Sequence, residues 1–330
     1  LNRLKDQRVQ AFEEGLWRSY RRLVPSGRAV LLAVSGGPDS MALLSASARI
    51  AGRLGLRFEV ATVDHSLREE SAAEAAQVGT FAASLGLLHH VLRAPVSTTV
   101  GLEAAARAVR YEALERCRCE RHLDVVATAH TATDQAETVL MRLTRGAALG
   151  GATSIHEARA DRVIRPLLFA TRDEVEAWVA ALALPVAHDP MNDDPQFLRV
   201  RLRREVLPVL ERAAGPHAAR ALARFAALAG EDEALLSDQA RHALSRVSWP
   251  DGSLEAVAVA ALERPIARRV LGQWLAAQGV ALDAELIADA LRAIEGHRTA
   301  TLPGDRVLAC LNGRVTVQPA PARTLHATSS

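Results

Sequence analysis

The chain has 330 residues, 49% of them hydrophobic and 24% charged, with a formal net charge of +2. That length can hold two domains, each with its own core and without disulfide or metal staples. Lys5 is the sole lysine among 40 basic residues, which excludes a Walker A loop, whose lysine reaches the phosphates, and an internal Schiff-base lysine.

Residues 1–24 place Leu4, Val9, Phe12, Leu16 and Leu23 at helical spacing and predict a leading helix. Ala29–Val34 reads as a buried strand, broken by Ser35, Gly36, Gly37 and Pro38, and a helix resumes over Met41–Ile50. The pattern then repeats. Strands are expected over Phe58–Val63, His89–Leu92 and Val125–Ala129, and helices over Ser71–Leu85, Leu102–Arg121 and Gln135–Arg145. This alternation predicts an α/β fold with a doubly wound parallel sheet, whose ligands lie beyond the carboxyl ends of the strands. After a flexible Gly146–Gly151 come a strand-like Val163–Leu168, a helix over Arg172–Leu182 and an arginine-rich run. From Gly215 the sequence is alanine-rich and helical. Further helices are expected near Ile266–Gln278 and Leu282–Ile294, with short strands around Thr299, Val307–Leu311 and Val315–Val317 and a frayed tail from Pro319. Cys117, Cys119 and Cys310 form no even framework, no apolar run reaches the roughly 18–20 residues of a membrane span, and no signal-peptide core is visible. A cytoplasmic protein is expected.

Ser35-Gly36-Gly37-Pro38-Asp39-Ser40 joins a buried strand to a helix. Glycines there bring backbone N–H groups close to an anion, and the helix adds its positive end. Asp39 and Ser40 are also N-cap candidates. The string resembles the pyrophosphate loop of ATP-cleaving enzymes that release AMP and pyrophosphate, a cradle that needs no lysine. Asp64 and His65 lie at the end of the second strand, facing the nucleotide crevice. Glu103 and Arg107 form an i,i+4 pair, with Arg110 and Tyr111 on the same helix. His130, Asp134 and Glu137 follow the fourth strand; a helix cap and capping box would explain the two acids, and a hard cation shared with a triphosphate suits them better than zinc. Arg199, Arg201, Arg203 and Arg204 crowd one segment with only Glu205, Asp193 or Asp194 nearby in sequence, which points to an anionic partner.

Taken in this order, the motifs resemble the bacterial tRNA(Ile)-lysidine synthetase family within the PP-loop ATP pyrophosphatases. The resemblance also rests on Arg165-Pro166-Leu167-Leu168 and on Asp189 with Asn192. It implies a PP-loop catalytic domain over 1–214 and, over 215–330, a helical linker and a smaller, mostly helical tRNA-binding domain with a few short strands. The implied reaction uses ATP and Mg2+ to adenylate the C2 oxygen of the wobble cytidine in the CAU anticodon of tRNA(Ile), after which free L-lysine displaces AMP. The implied ATP site is Ser35, Gly36, Gly37, Pro38, Asp39, Ser40, Asp64 and His65. Asp39, Arg107, Asp134 and Glu137 are the expected catalytic residues. His130, Asp134 and Glu137 would hold lysine or magnesium, with no direct protein cage for the metal. Arg110, Arg199, Arg201 and Arg203 would face tRNA. Family members are often homodimers. Thr133, Met191 and Val200 depart from the family pattern, which often has an acid, a serine and an asparagine at those positions. Competing readings are a tRNA thiolase, an amide or nucleotide ligase, and a non-catalytic tRNA-binding paralogue.

Overall fold

The computed structural model describes residues 2–64, 70–95, 102–144, 155–187, 194–215 and 217–320. His65, the Gly146–Gly151 segment, Asp189, Met191 and Asn192 lie outside the described residues, as does the side chain of Glu103. The chain divides into two units. One holds the described residues up to Arg142 and from 155 to Ala227; the other holds Leu143, Thr144 and the described residues from Leu228 onward. The division falls later than the expected 214/215 boundary because Ala219 and Leu222 pack with Ala136 and Leu207 of the first unit.

In the first unit five parallel strands, β1 (Ala29–Ala33), β2 (Arg57–Asp64), β3 (His89–Arg93), β4 (Val125–Ala127) and β5 (Val163–Ile164), lie in the order β3-β2-β1-β4-β5. All five residues of β1 are buried, as an unbroken apolar run between two helical layers requires. Leu31 and Leu32 each stabilise the fold by roughly 1.5–3 kcal/mol. The connecting helices are α1 (Asn2–Leu23), α2 (Pro38–Leu54), α3 (Glu70–Ser84), α4 (Leu102–Glu120), α5 (Ala132–Leu143) and α6 (Arg172–Leu182). The Tyr20 hydroxyl meets Ser47 Oγ at 2.9 Å and pins α1 to α2. A Cβ at Gly15 would lie 2.3 Å from the Phe169 ring, so only glycine lets α1 approach this closely.

The chain runs outward from β1 through β2 to β3, then returns to place β4 on the other side of β1. The switch point therefore lies between β1 and β4, and the loops leaving those two strands bound the ligand crevice. β5 is shorter than expected. Pro166 has no N–H for the ladder, and the Leu168 N–H turns back to the Arg165 carbonyl at 3.3 Å.

The arginine-rich run is helical: α7 (Leu198–Arg201), a π-turn over Leu202–Val206, then α8 (Leu207–Ala214). Pro208 explains the widening, because its ring would clash with the carbonyl four residues earlier. The Leu207 N–H instead reaches Leu202 O. Leu207 and Leu210 pack with Ala136 and Leu140, which lays this helix against α5.

Helix α9 (Ala218–Val247) leads into the second unit. That unit contains β6 (Leu254–Glu255), α10 (Ala256–Ala260), α11 (Arg264–Ala277), α12 (Ala284–Glu295), β7 (Ala300–Leu302), β8 (Arg306–Leu311) and β9 (Arg314–Pro319). Its antiparallel sheet has the order β6-β9-β8-β7. Leu254, Leu271, Leu291 and Leu308 meet in its core, and Trp274 Nε1 donates to the Gly252 carbonyl at 2.8 Å. Among the described residues no helix is long and apolar enough to cross a membrane.

Candidate active site

After β1 the backbone turns at Gly36, whose φ of +90° favours glycine. Gly37 is the N-cap of α2 and Pro38 opens its first turn. Asp39 and Ser40 therefore lie inside the helix, and neither is the cap. Ser40 braces the loop: its Oγ accepts the Ser35 N–H at 3.1 Å and donates to the Gly37 carbonyl at 2.9 Å. Because the Gly37 cap has no side chain, the N–H groups at the start of α2 are not capped by it and are available to an anion. The Ala187 N–H donates to Gly36 O at 2.9 Å, fastening the chain after α6 to this loop.

Asp39 leans from the first turn of α2 toward Arg172, whose Nη1 lies 3.6 Å from Oδ2. Its Oδ1 is buried without a hydrogen-bond partner. Burial, and then the nearby Asp134, push this carboxyl up to about 6, against the pull of Arg172 and Arg203.

The loop after β4 supplies the second wall. Thr131 and Asp134 cap α5: Asp134 Oδ2 accepts both the Thr131 N–H and its hydroxyl at 2.8 Å, and the Asp134 N–H returns to Thr131 Oγ1 at 3.3 Å. Burial alone would raise the Asp134 carboxyl, but Arg199, His130 and these Thr131 bonds hold it below its ordinary value. His130 is pushed down by burial and stays neutral, with Nδ1 at 3.0 Å from Thr128 Oγ1. Glu137 is fully buried and takes no part in the cap. Arg199 Nε donates to its Oε2 at 2.7 Å, while Arg203 donates through Nε to Oε1 at 2.5 Å and through Nη2 to Oε2 at 3.1 Å. Arg199 Nη2 also lies 3.5 Å from Asp134 Oδ1.

The anion facing Arg199 and Arg203 in this structure is therefore the chain's own carboxylate. Counting charges along the sequence missed it, since Glu137 lies far from the run. Arg201 points elsewhere, toward the Pro195 carbonyl at 3.2 Å. Asp64 ends β2 with a half-buried side chain. Arg107 is exposed, Arg110 is half-buried, and both act electrostatically on His130. Arg172 was not picked out from the sequence; its place at the start of α6, in the loop region beyond β5, was the available signal. The Arg172 N–H donates to Thr133 Oγ1 at 3.0 Å, so threonine supplies an acceptor at that departure without adding a charge beside Asp134. Val200 is buried, where an apolar residue fits.

A model of the PP-loop domain matches residues 7–210. The tRNA(Ile)-lysidine synthase of Salinispora tropica is 42% identical over 89% of this chain and 91% of its own length. The chain belongs to the tRNA(Ile)-lysidine synthase family. The synthase of Thermobifida fusca is 41% identical over 86% of this chain and 90% of its own length. Among solved structures, the U34-tRNA thiolase NcsA of Methanococcus maripaludis, with its [4Fe-4S] cluster, is similar with a TM-score of 0.58 at 17% identity. The match covers 68% of this chain and 80% of the thiolase, and indicates a shared fold. In the lysidine synthase family member described here, Cys117 is buried in α4, Cys119 is exposed on the same helix, and Cys310 belongs to the second unit.

Proposed function

We propose that this chain converts the wobble cytidine of a CAU-anticodon tRNA(Ile) to lysidine at the expense of ATP. The observation that carries the reading is the pairing, across one switch point, of a lysine-free phosphate loop after β1 with the His130–Asp134–Glu137 cluster after β4. In the first step the cytidine C2 oxygen attacks the α-phosphorus of ATP and pyrophosphate leaves. In the second, the side-chain amine of lysine attacks C2 and AMP leaves with the C2 oxygen.

The Ser35–Ser40 loop binds the triphosphate through backbone N–H groups. Among the described residues no three His, Cys, Asp or Glu side chains gather as a metal cage. A magnesium ion arriving with the triphosphate needs only one or two protein carboxylates, and Asp39, whose Oδ1 has no partner, fits that role. Bound there, the ion would neutralise charge on the leaving pyrophosphate.

Lysine's amine has a pKa near 10.4, so reaching its nucleophilic form at pH 7 costs roughly 4–5 kcal/mol. Asp134, kept acidic by Arg199, suits holding an ammonium and is a poor proton acceptor. Glu137, bound by two guanidiniums, positions Arg199 and Arg203. The departing nucleotide, whose phosphate has a pKa near 6, is the better proton acceptor. Incubation with ATP, labelled lysine and a CAU-anticodon tRNA tests the reading. Lysine-dependent AMP release is expected on that tRNA and on none with an altered anticodon; AMP release indifferent to lysine or to the anticodon would overturn it.

A further inference from the structure

Tyr111, on α4, has two guanidiniums within cation–π range of its ring: Arg107 Cζ at 5.1 Å and Arg159 Cζ at 5.0 Å from the centroid. Arg107 comes from the preceding turn of the same helix. Arg159 comes from a tight hairpin in which its N–H donates to Val163 O at 2.9 Å, the Arg165 N–H donates to Glu157 O at 2.8 Å, and Ala158 bridges Ile164. In that antiparallel register residues 157, 159, 163 and 165 share one face. Arg159 and Arg165 therefore project to the same side.

Arg165 is 4% exposed. One of its nitrogens donates to the His156 carbonyl, and its Nε has no partner. Burial pulls both Arg165 and the neighbouring Arg110 below the usual guanidinium range. Asp161 pairs with Arg159 at 2.5 Å. Among the described residues no carboxylate forms an ion pair with Arg107, Arg110 or Arg165. Four guanidiniums thus gather near the carboxyl ends of β4 and β5 with, among the described residues, one acid paired to them, and the tyrosine ring holds two of them in place. Ordering them beforehand lowers the entropy lost when they grip a planar or tetrahedral oxyanion.

We propose that Arg107, Arg159 and Arg165, arranged on Tyr111, form a phosphate-ester site at the rim of the crevice. Its ligand is a phosphodiester of the RNA strand that carries the target base, or the α-phosphate of the bound nucleotide. The partial exposure of Arg159 favours the RNA strand. The site rests on the RNA-modifying reading above, and its test is a binding measurement that needs no turnover.

In the full chain, Arg159→Glu is compared with Arg159→Lys and the unsubstituted protein for CAU-anticodon tRNA affinity between about 50 and 200 mM salt, and for KM of ATP at saturating tRNA. A phosphodiester ligand predicts about a tenfold rise in Kd and a log–log salt slope shallower by about one for Arg159→Glu, with KM for ATP unchanged. Arg159→Lys, which keeps the charge and loses the fork, should retain the slope and lose part of the affinity. A rise in KM for ATP with tRNA affinity intact would assign the site to the nucleotide phosphate. Kd, slope and KM all within twofold of the unsubstituted protein would overturn the site. If lysine transfer also proceeded normally, the proposed function would stand without it.

Discussion

Asp39 links the phosphate loop to the stability of the free protein. Its carboxyl is raised to about 6 in the folded chain, mainly by burial, against an ordinary value near 3.9 in the unfolded chain. At about 1.36 kcal/mol per unit, keeping the group ionised costs the fold roughly 3 kcal/mol once both states are deprotonated. The sign follows from the raised value. The folded state binds the proton more tightly, so the cost is absent below about pH 4, grows through the window between the two values, and is complete above about pH 6. Asp39→Asn keeps the shape and removes the charge. In EDTA without nucleotide, the first unit should gain about 1–3 kcal/mol at pH 8, a rise in Tm of about 2–8 °C, and gain almost nothing at pH 4. The variant should also lose ATP-dependent turnover, as expected when strain is held at a working site. Chemical denaturation of both proteins at the two pH values is the assay. A gain equal at both pH values, or a loss at pH 8, would refute burial of an ionised carboxylate as the source.

Glu137→Gln leaves two guanidiniums facing a neutral amide and should cost about 2–4 kcal/mol by denaturation; Glu137→Ala should abolish lysine transfer in the labelled-lysine assay. Gly15→Ala drives a methyl group into Phe169 and should cost about 1–3 kcal/mol, with part recovered in the double variant with Phe169→Leu, as melting would show. Glu59 is buried and meets Arg57 Nη1 at 2.5 Å, His90 Nε2 at 2.7 Å and Arg121 Nε at 3.2 Å. Burial pulls its carboxyl upward, but His90 and Arg121 prevail and hold it low. Its contribution is therefore complete above the unfolded carboxyl value and lost as pH falls through the depressed one. Glu59→Gln should flatten that part of the stability profile measured from pH 7 to pH 3.

The parallel sheet was legible because its strands are buried on both faces, so β1 reads as an apolar run ended by Ser35 and Gly36. Periodicity had nothing to register at β6, two residues long, or at α10, whose Ala-Val alternation suits strand and helix alike. The acids after β4 were visible as a pair one turn apart, yet their separate duties were not. A cap and capping box read onto Asp134 and Glu137 fall three residues late: the box closes between Thr131 and Asp134, and Glu137 is left to the arginines. The partners of Glu137 come from a helix whose approach depends on Leu207 and Leu210 packing against α5.

The same distinction explains where the positive charge does its work. Of the 40 basic and 38 acidic residues, 10 and 12 fall in residues 228–330, so the surplus lies in residues 1–227, most of which belong to the first unit. Within that unit, Arg199 and Arg203 are turned inward onto Glu137, and Arg172 leans on Asp39. Those three arginines bear on the carboxylates of the crevice. The guanidiniums around Tyr111 have a single described acid among them. A phosphate near those guanidiniums would meet positive charge that few carboxylates offset, while lysine's ammonium would meet Asp134, so each substrate charge has a separate set of partners.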